Sequence, residues 1–139
     1  MKIAPLALKK KFHAPIEKVF ESWSNPEAMK QWFKPDSHWQ VISKNTFKVG
    51  GTYEHVMKSK DGKEYIHTGE YKEIIRPTKL VFTWNSEVVK NTLVTIELKE
   101  VDGYTELTLT HDLFPTEDIK EQHNQGWNGC LENLLHHLS

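Results

Sequence analysis

The chain has 139 residues, with 18 Lys and Arg against 19 Asp and Glu and a formal net charge of −1 when its eight histidines are neutral. That balance leaves no electrostatic footprint for nucleic acid, and the one basic run, Lys9-Lys10-Lys11, sits in a strand pattern and reads as a solvated face. One cysteine excludes an intrachain disulfide, and no stretch approaches the roughly 20 apolar residues that cross a bilayer; with no leader-like N-terminus, a cytoplasmic protein of one domain, 1–139, is expected.

From Met1 to Phe12, Leu6, Leu8 and Phe12 share one parity while Lys9 and Lys11 take the other, the alternation of a half-buried strand. Pro15 stops it and suits the first turn of a helix in which Ile16, Val19, Phe20 and Trp23 recur at helical spacing. Asn25-Pro26 repeats the device, an N-cap residue before a proline, for a second short helix that buries Met29, Trp32 and Phe33 and ends at Pro35.

Beyond Pro35 the period becomes that of strands. Val41 and Ile42 mark a short one, and Gly50-Gly51 a bend into the next, where Tyr53, His55 and Met57 alternate with Thr52, Glu54 and Lys58. Asp61-Gly62 supplies a hairpin turn. The return strand places Tyr65, His67, Gly69, Tyr71 and Glu73 on one parity, and after the turn at Arg76-Pro77-Thr78, Leu80, Phe82 and Trp84 share a face. Residues 85–91 read as a polar loop, a reading that does not account for Val88 and Val89. Val94, Ile96 and Leu98 line one side of the next strand, Asp102-Gly103 turns it back, and Leu107, Leu109 and His111 continue the inward parity.

Thr116 followed by Glu117 and Asp118 opens the last helix, with acidic residues near its positive end. Its stripe, Trp127, Cys130, Leu131, Leu134, Leu135 and Leu138, must cover something, since burying each large side chain is worth about 1.5 to 3 kcal/mol. The elements make an α+β fold, a meandering antiparallel sheet with a long terminal helix laid across it. A sheet curled around a helix leaves a wedge, and whether side chains fill that wedge decides what the molecule can do.

The residues aimed at the wedge are Tyr53, His55, His67, Tyr71, Trp84, His111 and Trp127, backed by Trp32 and Phe33. Apolar walls with a few polar groups describe a small-molecule site, and equally a sheet whose buried polar tips have found partners. His111 lies at a strand end that should open toward the wedge. Neither a His-Glu-x-x-His helix nor paired cysteines offer a metal site, and no Gly-x-Ser-x-Gly elbow is present. Cys130 lacks a histidine at contact spacing on its helix face and reads as a core hydrophobe, so no catalytic residue, metal or cofactor is assigned. The outward parities read Thr, Glu and Lys, which offers little apolar surface for docking.

Several stretches together carry a resemblance: Pro15-Ile16-Glu17-Lys18-Val19-Phe20, Trp23-Ser24-Asn25-Pro26-Glu27 with Trp32-Phe33, Gly50-Gly51-Thr52-Tyr53, and Gly69-Glu70-Tyr71 with Glu73. Arg76-Pro77 before Leu80-Val81-Phe82-Thr83-Trp84, Thr105 through His111, and Gly126-Trp127 complete the set. Nearly the whole chain thus resembles, in order, the activator of heat-shock-protein-90 ATPase homologue-like branch of the START-like (SRPBCC) superfamily. The resemblance implies a helix-grip (START-like, Bet v 1-like) fold, a curved antiparallel sheet around a long C-terminal helix with two short N-terminal helices. It further implies an internal cavity, which in relatives holds lipids, sterols or polyketides, and no universal catalytic set. The expected function is non-catalytic binding of a small hydrophobic or aromatic molecule, by a monomer or homodimer. The alternatives are a stress-response domain with a chaperone-type protein partner and, behind it, a polyketide cyclase-like enzyme.

Overall fold

The computed structural model describes residues 3–138; the predicted strand positions Met1 and Lys2, and Ser139 at the chain end, lie outside the described residues. After β1 (Leu6–Phe12), two short helices follow, α1 (Ile16–Ser24) and α2 (Pro26–Trp32). Asn25 joins them by serving both: its backbone N–H donates to Glu21 O at 3.0 Å to close α1, and its side-chain oxygen accepts from Glu27 N at 3.0 Å to open α2. Pro26 fits at the first position of α2 because no intrahelical partner is needed there.

Six strands then run as a meander, β2 (Gln40–Asn45), β3 (Thr52–Lys58), β4 (Glu64–Ile75), β5 (Lys79–Trp84), β6 (Thr92–Val101) and β7 (Tyr104–Asp112). With β1 added beside β7, the sheet order is β1-β7-β6-β5-β4-β3-β2, antiparallel throughout. The sheet curves around α3 (Glu117–Leu138), whose Trp127, Cys130, Leu131, Leu134 and Leu138 are buried. This is the α+β arrangement expected from the elements and the helix-grip architecture that the family resemblance implies. Within the basic run, Lys10 reaches across to Glu132 of α3 at 2.8 Å.

One parity assignment needs correction. Tyr71 pairs with Phe82, but Glu73 pairs with Val81 and Ile74 with Leu80, so a β-bulge adds one residue to β4. Because side chains alternate with period two, the extra residue turns Glu73 to the outer face and brings Ile74 inward. Glu73 there faces Lys79 at 3.5 Å, away from the wedge. The outer face also holds an apolar row that the Thr, Glu and Lys parities did not suggest. Ile42, Val56 and Ile66 are paired in register across β2, β3 and β4, with Ile42 and Ile66 exposed.

Candidate ligand cavity

The wedge is part filled and part hollow. Toward α1 and α2, large rings close it: Tyr53 lies 5.6 Å from Tyr71 and 5.4 Å from Phe82, and His55 lies 4.6 Å from Phe33. The space left among these residues is about 10 Å³, at the limit of holding one water. The polar tips are paired, Tyr53 donating to Thr83 O, the Tyr71 hydroxyl accepting from Asn45 at 3.0 Å, and His55 Nδ1 meeting Ser43 Oγ at 2.8 Å. Burial raises both phenol pKa values, so both tyrosines are neutral.

Next to this packed region a cavity of about 270 Å³ remains open. Met57, Tyr65, Ile66, His67 and Trp84 line it from the sheet, and Gln122, His123, Gly126, Trp127 and Cys130 from α3. The segment after α2 contributes Phe33, Pro35 and Trp39, and the β5–β6 loop contributes Ser86, Glu87 and Val88. Aromatic faces dominate: Trp84 and Trp127 are 5.1 Å apart, and Trp39 and Tyr65 5.4 Å apart. Phe33 borders both the cavity and the packed region, so its ring is the partition between them.

Two glycines of α3 explain how the helix accommodates this. A Cβ on Gly129 would lie 2.2 Å from Pro35 O, so that glycine lets the helix touch the turn after α2, a contact held also by Asn133 Nδ2 donating to Lys34 O at 2.8 Å. A Cβ on Gly126 would meet nothing within 4 Å. Glycine within a helix costs about 0.8–1 kcal/mol relative to alanine, and at Gly126 no close packing offsets that cost. What the missing side chain preserves is open volume.

Four histidines lie around the wedge, and their hydrogen bonds define the tautomers of two. The Trp127 indole donates to His111 Nδ1 at 3.0 Å, so His111 carries its proton on Nε2, which donates to Thr92 Oγ1 at 2.9 Å. Thr92 in turn donates to Trp84 O at 2.6 Å. His123 Nδ1 faces the Ile119 carbonyl at 2.9 Å and must donate, which leaves Nε2 to accept the Trp84 indole N–H at 3.3 Å. Burial pushes His111 and His55 down to about 3 and His67 to about 4; nearby His123 adds to the effect on His111 and His67, and His67 to that on His55. Burial lowers His123 as well, with its bond to Ile119 opposing. Cys130 is pushed up to about 12 by burial, with a backbone hydrogen bond at Lys34 opposing, so it is a thiol at neutral pH.

Of the nine residues expected at the site, Phe33, His67, Trp84 and Trp127 border the cavity. Tyr53, His55 and Tyr71 surround the packed remnant instead. Trp32 is buried with its indole donating to Ser22 O at 3.0 Å, and His111 is sealed from solvent with both ring nitrogens occupied. Trp39, Tyr65, Val88, His123, Gly126 and Cys130 are among the wall residues that the sequence reading did not place there. Tyr65 shares the parity of His67, His123 precedes Trp127 by one helical turn, and Val88 is apolar in a polar loop; Trp39 lies in a segment with no period to read. No group of three or more His, Cys, Asp or Glu among the described residues could hold a metal ion. No described helix is long and apolar enough to cross a membrane.

The family described as activator of Hsp90 ATPase homolog 1-like protein matches residues 13–139. The chain belongs to this family. Among solved structures, a Chromobacterium violaceum protein superposes with a TM-score of 0.86 at 20% identity over 96% of each chain. An AHSA1-like protein from Aeromonas hydrophila gives 0.79 at 26% identity, covering 95% of this chain and 91% of its own. A Rhizobium leguminosarum protein gives 0.81 at 26% identity, covering 97% of this chain and 93% of its own. No curated protein matches the chain. For this member of the Hsp90-activator-homolog family, fold and family together support a groove for ligand binding or protein interaction.

Proposed function

We propose that the chain binds a small, largely aromatic molecule between strands β3–β5 and α3, without turning it over. The observation that carries this is the 270 Å³ apolar cavity beside Gly126, next to a region of the same wedge packed down to about 10 Å³. Its volume lies just below the range of about 300–1,000 Å³ usual for ligand pockets, which favours one or two fused rings over a sterol or a phospholipid. Binding without turnover is supported by the polar groups: His111 and His123 are neutral and hydrogen-bonded at both nitrogens, and Cys130 is a protonated thiol.

Thermal melts with a size series, from naphthalene to a sterol, test the proposal. A compound present at 100 times its Kd stabilises by about 2.7 kcal/mol, which a melt resolves. The two-ring compound raises Tm and the sterol does not, and Gly126→Leu, which fills the cavity from the helix, removes the shift. No shift with any compound in the series would overturn the proposal.

The comparisons speak more directly for a second function, regulation of an Hsp90-type ATPase, because the family's description names that activity. The outer-face row Ile42, Val56 and Ile66, of which Ile42 and Ile66 are exposed, supplies apolar surface for such a contact. Adding the purified chain to an Hsp90-type chaperone and measuring ATP hydrolysis tests it: stimulation that is removed by Ile42→Lys, at an exposed position away from the cavity, supports it, and an unchanged rate at saturating chain counts against it.

A further inference from the structure

Resting on the ligand-binding proposal, the polar groups of the cavity narrow the ligand class. Three of the four histidines around the wedge are committed, His55 to Ser43, His111 to Thr92 and Trp127, and His123 to Ile119 and Trp84. His67 differs. Its ring lies on Trp84, with centroids 4.6 Å apart and planes 30° apart, and borders the cavity, yet its buried Nδ1 has no hydrogen-bond partner among the described residues. A buried polar group without a partner is costly, and native structures leave few of them. That nitrogen is sealed as the ring stands, and a half-turn of the imidazole about Cβ–Cγ, which exchanges Nδ1 with Cδ2 and keeps the ring plane against Trp84, would turn it toward a ligand.

The rest of the wall sets the sign of the ligand's charge. No Lys or Arg lines the cavity, and the one acidic side chain that does is Glu87, in the exposed β5–β6 loop. Indole and phenyl faces carry negative potential at their centres, and His123 Nε2 presents a lone pair already engaged by Trp84. An anion entering here would lose its hydration and find no cation. A hydroxyl or N–H on an aromatic ring would find an unpaired imidazole.

We infer that the cavity selects neutral aromatic molecules bearing one hydrogen-bonding hydroxyl or N–H group, recognised by His67 while the ring system packs against Trp84 and Trp127, and that it rejects aromatic carboxylates. His67 is thus a specificity-determining residue, and the apolar wall sets size and shape alone.

Three probes of one ring size separate the contributions: naphthalene, 2-naphthol and 2-naphthoate, titrated calorimetrically at pH 7.5. A hydrogen bond that also relieves an unpaired buried group is worth about tenfold in affinity, so 2-naphthol binds about tenfold more tightly than naphthalene, and 2-naphthoate more weakly than either. His67→Phe keeps an aromatic ring on Trp84 and removes the preference while naphthalene still binds; His67→Gln, which keeps a hydrogen-bonding group, retains part of it. Equal binding of naphthalene and 2-naphthol, binding of 2-naphthoate as tight as 2-naphthol, or a preference that persists in His67→Phe would each overturn the inference and leave the binding function standing. Failure of naphthalene and 2-naphthol alike to bind the unaltered chain would overturn both. Should His67→Phe not fold, the three affinities of the unaltered chain still decide.

Discussion

Trp127 on α3 donates its indole N–H to Nδ1 of His111 on β7 across 3.0 Å, and one helical turn earlier His123 of the same helix accepts the indole N–H of Trp84 from β5. Helix and sheet therefore each supply one donor and one acceptor. The pair of bonds fixes the height of the helix over the strands, and that height sets the depth of the cavity between them.

The Trp127–His111 bond is expected to show as coupling between the two residues. Trp127→Phe leaves a buried imidazole lone pair unpaired, at a cost of about 1–3 kcal/mol in addition to the lost packing. In a double-mutant cycle with His111→Phe, read by urea unfolding, the coupling is expected to be about 0.5–3 kcal/mol. Additive effects would mean that the bond contributes nothing beyond its separate rings.

Acid is expected to unfold the protein early. His55 and His111 are held at about 3 and His67 at about 4 in the folded chain, all below the ordinary value of 6.5, chiefly by burial. With the folded pKa depressed, the unfolded chain binds more protons as pH drops below about 6.5, so the stability is complete above that pH and falls toward the folded values. At pH 5 each of these histidines costs about 2 kcal/mol, and three together approach the stability of about 5–15 kcal/mol usual for a folded chain. Stability measured by denaturant titration should fall steeply between pH 6.5 and pH 5, and less steeply in His55→Phe. An unchanged stability across that interval would contradict the burial argument.

The two glycines of α3 are expected to respond in opposite directions to the same substitution. Gly126→Ala should stabilise by about 0.5–1 kcal/mol, since the added methyl meets only open space and the helix gains a better former. Gly129→Ala should destabilise by about 1–3 kcal/mol, because its Cβ would collide with the Pro35 carbonyl. Urea midpoints of the two variants check this, and destabilisation by Gly126→Ala would mean that packing at that position is closer than described.

Removing the partition should enlarge the site. Phe33→Ala is expected to cost about 3–5 kcal/mol and to join the 270 Å³ cavity with the space beside Tyr53 and His55. The variant should then show Tm shifts with three-ring compounds that the unaltered chain does not bind; an unchanged size limit would mean that neighbouring rings collapse into the gap.

The architecture was legible because its signals are local. Asn25-Pro26 announces a helix start, Asp61-Gly62 a hairpin, and Val94, Ile96 and Leu98 a half-buried strand, each by the chemistry of a few adjacent residues. The site was legible only in part. Inward parity found His67 and Trp84, but parity cannot say which inward rings meet one another, and Tyr53, Tyr71 and His55 close on Phe33 where the cavity was expected to continue. The bulge after Tyr71 reversed Glu73 because one inserted residue shifts every later side chain to the other face. Gly126 escaped for the opposite reason: its contribution is the absence of a side chain, which no apolar periodicity counts.

The most direct test of the central claim, that a small aromatic molecule enters between the sheet and α3, uses the five tryptophans of the chain. Trp39, Trp84 and Trp127 line the cavity, whereas Trp23 and Trp32 do not. In a 1H–15N spectrum recorded during titration with 2-naphthol, the indole N–H signals of Trp39, Trp84 and Trp127 are expected to move with one common saturation curve while those of Trp23 and Trp32 hold still. Five stationary signals at saturating probe, or movement confined to Trp23 and Trp32, would contradict it.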